Sequence, residues 1–404
     1  MNKIEQKVYL KKNPVDRNIH LYFILLFCLS SINFFTPAMI NSSLIVYFYY
    51  LLFCLSILII IFNYKRSYYN SFSIPVLLIL SAALLASINT MYSWNQSAYD
   101  SIRGVLPLMS YILFFLLSTF KMDKGDIEKL IVLMGFCFII VFLFSFFIYP
   151  KILFGELDQH DETRGFQRIR TDGIGYLFLL SFYSLSEFII RKKYLFLLIY
   201  ILTMVCIIMS LTRTYITFSI LFSIFFILKK SSFLTIFTVI LITLVTFYII
   251  TQMSFYKILV TQTASETADY KDDIRMQAIH YYLNDFSPNT ISQIFGNGQA
   301  AGQNYYSRFI DYLELQRGLY TSDIGYIGLY IKLGFLSILA YIVFILKTLK
   351  TSVQEDFLYC KYFLLFIFII SIIIDSSFNT SFIGAIMLAF YLLSIQNKYI
   401  IQNF

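Results

Sequence analysis

Arg213 stands in a very short polar turn, residues 210–214, between two apolar stretches of the chain. A guanidinium this close to hydrocarbon is costly, so a charged residue in such a position commonly faces a polar cavity and marks a functional site. The alternative is an interface anchor whose long side chain extends to water. Because the planar fork of arginine holds phosphate or carboxylate through two hydrogen bonds, the cavity interpretation predicts an anion-binding residue.

Six more arginines lie in the two longest polar segments of the chain, residues 150–172 and 252–321. They are Arg164, Arg168, Arg170, Arg275, Arg308 and Arg317. These side chains are candidates for holding phosphate groups of a substrate. Acids in the same segments offer the structural alternative of ion pairs, for example between Glu314 and Arg317, which are three residues apart on a predicted helix.

Asp323 precedes an Ile-Gly-Tyr sequence at the start of another apolar stretch. A carboxylate at the membrane boundary is a candidate general base for a hydroxyl group. The equally weighted alternative is that Asp323 is the N-cap of the following helix, a position that aspartate often occupies.

The composition predicts that these residues are carried by an all-α polytopic membrane protein. Of the 404 residues, 59% are hydrophobic and only 13% are charged, whereas soluble domains carry about 25% charged residues. Apolar stretches of roughly 17–25 residues match the thickness of a bilayer. The twelve predicted spans are residues 19–35, 44–63, 74–91, 103–120, 129–149, 173–190, 194–210, 213–228, 233–251, 322–346, 358–374 and 379–395.

The distribution of basic residues predicts the orientation. Lysines accumulate in alternate connecting segments, which places both termini in the cytoplasm by the positive-inside rule. Residues 150–172 and 252–321 then become outer loops of a single integral membrane domain, residues 1–404. Residues 272–283 and 304–317 are expected to form short amphipathic helices at the outer interface. The net charge of +8 is explained by this orientation rather than by nucleic-acid binding.

Several motifs are missing from the sequence. It contains no G-x-x-x-x-G-K-[ST] phosphate loop, no G-x-G-x-x-G fingerprint and no Cys/His/Asp spacing typical of a metal site. We therefore expect metal-independent chemistry without a cofactor, on the outer side, with arginine as the cation.

Four short motifs occur in a characteristic order: Ser210-x-x-Arg213, Asp273-Ile-Arg275, Phe295-Gly-Asn-Gly298 and Asp323-x-Gly-Tyr326. Together with the late outer loop, they resemble the bacterial O-antigen polymerase and ligase superfamily. The chain has Thr212 where that family has a second serine in its Ser-x-Ser-Arg turn. It has Asp323 where the ligase branch has His-Asn, which favours the polymerase branch.

The resemblance implies a GT-C-like membrane enzyme of the bacterial cytoplasmic membrane. Such a polymerase joins undecaprenyl-pyrophosphate-linked repeat units into O-antigen or capsule, with a flippase and a chain-length regulator as possible partners. It implies that Arg213 and Arg275 neutralise the pyrophosphate and that Asp323 activates the acceptor hydroxyl. The other five loop arginines would position donor and acceptor phosphates.

Two alternatives remain open from the sequence. An O-antigen ligase of the same superfamily would transfer the finished glycan to a different acceptor. A flippase or secondary transporter also commonly has about twelve spans, but it usually carries charged or broken segments at mid-membrane in corresponding positions of two halves. The sequence has almost no such charge and no evident internal repeat.

Overall fold

Apolar stretches of this chain form helices because a helix satisfies its own backbone hydrogen bonds in surroundings without water. The computed structural model describes residues 14–32, 35–38, 42–63, 72–151, 153–154, 160–161, 168–169, 172–210, 212–230 and 274–402. Its helices are α1 (Pro14–Ser30), α2 (Ser42–Phe62), α3 (Ser73–Ser93), α4 (Ala98–Val105), α5 (Leu113–Phe120), α6 (Lys124–Ile148), α7 (Ile174–Arg191), α8 (Tyr194–Met209), α9 (Arg213–Lys230), α10 (Ile274–Asn284), α11 (Thr290–Phe295), α12 (Tyr305–Asp311), α13 (Gly325–Leu333), α14 (Phe335–Lys350), α15 (Leu358–Ile370) and α16 (Thr380–Gln402). Two short antiparallel strands, β1 (His160–Asp161) and β2 (Arg168–Ile169), pair before α7.

Some of the described helices have the length and composition of membrane spans. Four of them, α2, α3, α6 and α7, are long and apolar enough to cross a bilayer, and α4 with Leu108–Phe120 adds a fifth if this bent pair is one span. Shorter apolar helices include α1, α8, α9 and α16. The predicted span at 233–251 lies outside the described residues.

Two predicted spans are interrupted in the structure. The span predicted at 103–120 bends by 54° between α4 and the following helix. Pro107 lies at this bend, and its ring nitrogen has no N–H for a helical hydrogen bond. The span predicted at 322–346 is divided into α13 and α14 at Gly334, whose φ of +73° is accessible to glycine at little cost.

Helix α7 lies at the centre of the bundle. All of its residues from Ile174 to Ile189 are buried. Phe178 contacts Phe366 of α15 and Phe382 of α16, with ring centroids 4.8 and 6.0 Å apart. Small residues allow close helix approach, as at Gly135 of α6, where an added Cβ would come within 2.4 Å of the Leu180 side chain. The core therefore depends on shape matching rather than on one apolar face.

One end of the bundle, here called the basic end, is joined by ion pairs. Lys124 at the start of α6 contacts Asp356 at 3.0 Å, and Arg191 at the end of α7 contacts Glu187 at 3.1 Å. Arg17 of α1 donates a hydrogen bond of 2.7 Å to Asp126. Helices α7 and α8 meet at this end, so the start of α7 and the end of α8 lie at the opposite end of the bundle.

Candidate functional site

The turn that joins α15 to α16, residues 371–379, carries a buried carboxyl group at the end opposite the basic end. The backbone N–H of Asp375 donates to the carbonyl oxygen of Ser322 at 3.0 Å. The amide of Asn379 lies 3.4 Å from Asp375 Oδ1. This turn is thereby attached to the 3₁₀ turn Thr321–Ile324, which contains Asp323.

Three aspartates from separate segments, Asp172, Asp323 and Asp375, form what we call the acidic cluster. Burial raises the pKa of Asp375, and the nearby charges of Asp323 and Asp172 raise it further. Lys332 and the hydrogen bond from Asn379 act in the opposite direction. Nearby carboxylates repel each other, so the charges of Asp323 and Asp172 favour the protonated form of Asp375.

Asp172 connects the starts of two central helices. The hydroxyl of Ser381, at the start of α16, donates to Asp172 Oδ1 at 3.0 Å. The two helices approach so closely that a Cβ on Gly175 would lie 2.7 Å from both the Ser381 carbonyl oxygen and the Phe382 Cα. The position of Asp172 therefore depends on tight packing of α7 against α16.

Lys332 is a cation whose charge lowers the pKa of Asp375. It lies in the last turn of α13, with its ammonium 5.9 Å from the centroid of the Phe378 ring. Its charge also lowers the pKa of Glu314, which burial raises. The ammonium of Lys332 therefore lies near the turn at 371–379 that carries Asp375.

Residues 296–298, which we call the latch, hold the end of α13. The N–H groups of Asn297 and Gly298 donate to the carbonyls of Ile331 and Lys332, each at 2.8 Å. These carbonyls lack helical partners because the helix breaks at Gly334. The Asn297 side chain is fully buried, and its Oδ1 accepts a 3.0 Å bond from Trp94 Nε1. Asn89 and Thr90 of α3 donate to the carbonyls of Gly296 and Asn297, so the latch is a strap bound between α3 and α13.

Residues 274–321, the described part of the second long polar segment, form a small cap with its own apolar core, against which Trp94 packs. The Trp94 ring stacks on Tyr306 with centroids 4.5 Å apart, and Phe286 and Phe309 lie within 5.3 and 5.8 Å of it. Helices form at both predicted positions, as α10 and as the helical segment from α12 to Gln316. In the second of these segments Leu313 is fully buried, whereas Tyr305 is 64% exposed.

The structure describes four of the predicted arginine side chains. Arg213, in the first turn of α9, is half-buried, and the nearby Tyr215 contacts Phe178 and Phe382 at 5.4 and 5.8 Å between ring centroids. This places the start of α9 beside the helix starts that hold the acidic cluster. Arg275 is exposed on α10, which packs against the turn containing Asp323.

Two of the remaining predicted arginines lie on the surface of the cap, and the others are described incompletely or not at all. Arg308 and Arg317 are exposed on the cap, and Arg317 lies over the Tyr281 ring at 5.1 Å. The structure describes Arg168 through its backbone in β2 only. Arg164 and Arg170 fall outside the described residues.

Two sequence-based alternatives are wrong. Asp323 does not cap α13, because Ile324 occupies the N-cap position and no side chain bonds the helix there. Glu314 interacts with the backbone and hydroxyl of Thr321 and with the charge of Lys332, whereas Arg317 stacks on Tyr281 instead of forming the predicted pair with Glu314.

The sequence did not identify Asp375 and Lys332 as site residues. Asp375 is a lone acid between two apolar stretches, and Lys332 is a lone base inside one. A charge in either place is costly in a membrane protein, so the position of each residue in the sequence could have marked it as a candidate site residue.

The fold defines the class of protein: the chain is an α-helical membrane protein. No protein-family model matches it, and the comparison with curated proteins finds no match.

Proposed function

We propose that the chain is a polysaccharide polymerase that joins lipid-pyrophosphate-linked oligosaccharide repeats at the outer face of a bacterial cytoplasmic membrane. The observation that carries the proposal is the assembly of Asp172, Asp323 and Asp375 at the end of the bundle where Arg213 begins α9. Carboxylates that accept a proton and arginines that hold phosphate are the two groups this transfer requires.

In the proposed reaction the carboxylates and the arginines have different roles. The acceptor hydroxyl oxygen attacks the anomeric carbon of the donor, and the bond from that carbon to the pyrophosphate oxygen breaks. Asp323, half-exposed in its turn, takes the hydroxyl proton. Arg213 and Arg275 stabilise the charge that develops on the departing pyrophosphate. The outer arginines Arg164, Arg168, Arg170, Arg308 and Arg317 position the lipid-linked phosphates.

The proposed orientation has twelve spans with both termini in the cytoplasm. Under this orientation the ion-paired basic end faces the cytoplasm, and the acidic cluster faces outward beneath the cap. The substrates are then undecaprenyl-pyrophosphate-linked donor and acceptor glycans for O-antigen or capsule. A flippase that delivers the repeats and a chain-length regulator are the partners this activity requires.

A strain that lacks the gene, complemented by the wild-type gene or by variants, tests this function. Surface glycan is separated by length on a gel. Loss of a polymerase leaves single-repeat glycans attached to the surface. Loss of a ligase leaves no attached glycan, and loss of a flippase leaves no exported repeat. The proposal fails if deletion leaves the glycan length distribution unchanged or produces either of the other two patterns.

A further inference from the structure

The two interrupted spans each bring a buried tyrosine to the same backbone atom. Tyr111 lies in the short 3₁₀ segment that follows the bend at Pro107, and Tyr341 lies in α14, which begins after the break at Gly334. Both hydroxyls donate to the carbonyl oxygen of Ser377, at 2.5 and 2.6 Å. We call these two residues the tyrosine pair. Side chains from two distant helices thus hold one carbonyl of the turn between α15 and α16.

The tyrosine pair gives the Ser377 carbonyl a donor in either of two arrangements. The two hydroxyl oxygens also contact each other, and each hydroxyl has one proton to donate. Either both hydroxyls donate to the carbonyl, or one donates to the other and the second donates to the carbonyl. Loss of one hydroxyl therefore leaves a donor in place. Loss of both removes the two tyrosine donors from a buried backbone group.

A series of hydrogen bonds connects the tyrosine pair with the segment that carries Asp323. The N–H of Ser377 donates to Ser371 Oγ at 2.8 Å, which closes the turn on itself. Two residues before Ser377, the N–H of Asp375 donates to the carbonyl of Ser322 at 3.0 Å. Ser322 directly precedes Asp323 in the chain. A displacement of the turn is therefore transmitted to the proposed base through backbone hydrogen bonds.

A third tyrosine fixes the other side of the Asp323 segment. Tyr326, three residues after Asp323, donates its hydroxyl to the carbonyl of Phe368 near the end of α15, at 3.1 Å. Its ring lies against the ring of Tyr341, with centroids 5.6 Å apart. The start of α13 and the turn after α15 are thus held by neighbouring tyrosines.

We propose that Tyr111 and Tyr341 are positioning residues, which hold the Ser377 carbonyl and thereby fix Asp323 where it meets the acceptor hydroxyl. The catalytic consequence rests on the proposed transfer function, because a displacement of about 1 Å at a reacting group lowers a rate by up to about 10²-fold. The attachment of the turn by the tyrosine pair does not depend on that function.

Amide hydrogen exchange of the purified full-length protein without substrate tests the attachment. The double replacement Tyr111→Phe with Tyr341→Phe should raise exchange in peptides that cover residues 371–379 by about tenfold, the effect of one typical buried hydrogen bond on a local opening equilibrium. Tyr391→Phe is the matched control, since it removes a buried hydroxyl that donates to the Met122 carbonyl at 2.8 Å at the basic end. It should leave these peptides at wild-type exchange.

Two results of the exchange experiment would overturn the inference. One is unchanged exchange at residues 371–379 in the double variant. The other is an equal increase in every peptide, which would show a general loss of stability. Tyr341→Phe alone should give a smaller rise confined to the same peptides. It decides the question by the same criteria if the double variant does not accumulate.

The catalytic test is the kinetics of glycan transfer with a lipid-pyrophosphate-linked repeat. The double variant should lower kcat by about 10- to 100-fold and leave KM near the wild-type value, because the tyrosine pair is buried and positions the base rather than the substrate. Each single variant should lose less than about threefold, since one donor remains. Tyr391→Phe should keep the wild-type kcat. A raised KM with unchanged kcat contradicts the positioning role.

The two experiments together separate this inference from the proposed function. If exchange responds as expected but the wild type transfers no glycan, the proposed function fails and the attachment of the turn stands. If the wild type transfers glycan and the double variant has the same kcat, the positioning role fails and the proposed function stands.

Discussion

The backbone N–H of Asp375 donates a hydrogen bond of 3.0 Å to the carbonyl oxygen of Ser322. This bond joins the turn between α15 and α16 to the segment that carries Asp323, although the two segments are about fifty residues apart in sequence. Since the bond uses backbone atoms, side-chain substitutions in the cluster leave it intact. Substitution of Asp323 therefore tests chemistry more than folding.

Asp323→Asn should lower the rate of glycan transfer by about 10² to 10⁴-fold, the usual contribution of a general base. The asparagine has the same shape, but its amide cannot accept the hydroxyl proton. The measurement is transfer rate in membranes with equal amounts of protein. Asp285→Asn, at an exposed position on the cap, is the matched control and should retain wild-type activity. Equal rates for wild type and Asp323→Asn would exclude Asp323 as the base.

The sequence could predict the class of fold because bilayer thickness imposes a length on every apolar span. The breaks at Pro107 and Gly334 could not be predicted in the same way. A proline or glycine in a membrane helix is tolerated when other groups satisfy the freed carbonyls. For Gly334 those groups are the N–H donors of Asn297 and Gly298, which come from a distant loop.

The candidate site was predictable only in part for a related reason. Asp323 and Arg213 stand out because each lies at the edge of an apolar stretch. Asp375 can be identified as a site residue only from the contact between its turn and Ser322. No local sequence pattern predicts that contact. For Glu314 the local pattern was misleading. Helical spacing predicts Arg317 as its partner, but in the folded protein Glu314 interacts with Thr321.

Arg213→Lys should abolish long glycan chains, even though the charge is retained. A lysine ammonium cannot reproduce the planar pair of donors that grips a phosphate. Gel analysis of surface glycan in the complemented deletion strain provides the measurement. Arg191→Lys at the basic end, where Arg191 pairs with Glu187, should leave chain length unchanged. Full-length chains from Arg213→Lys would refute bidentate phosphate contact.

Asn297→Ala should destabilise the protein by about 1–3 kcal/mol, because Trp94 Nε1 loses its acceptor and the carbonyl of Ile331 loses one of its two donors. Trp94 Nε1 and the carbonyl of Ile331 both contact this side chain, at 3.0 and 3.2 Å. Thermal unfolding in detergent measures the change. Asn284→Ala is the matched control, since Asn284 is exposed and bonds only within its own helix in the described structure. A similar melting temperature for both variants contradicts the role of the latch.

Gly175→Ala should weaken the packing that positions Asp172. The added Cβ would lie 2.7 Å from backbone atoms of Ser381 and Phe382, so α7 and α16 must separate. We expect a loss of about 1–3 kcal/mol, as for other overpacked sites, together with reduced transfer. Gly125→Ala meets nothing within 4 Å and should be neutral or slightly stabilising. Equal melting temperatures for the two variants would contradict the tight packing of α7 against α16.

Asp375→Asn should make the protein more stable than the wild type, and this difference should grow as the pH rises. The pKa of Asp375 in the folded protein is raised above its ordinary value of 3.8, mainly by burial. Between the ordinary and the raised pKa, the folded state binds more protons than the unfolded state at this group, so wild-type stability falls as the pH increases. The asparagine has no such dependence and keeps an acceptor for Asn379.

Thermal unfolding of both proteins from pH 4 to pH 8 measures this difference. The gap should open above the ordinary pKa and become constant once Asp375 is ionised in the folded protein as well. A gap that closes as the pH rises would mean that the folded state favours the ionised carboxyl. A higher stability of Asp375→Asn would show that the buried charge opposes folding. A lower rate of glycan transfer by the same variant would show that the reaction needs this charge.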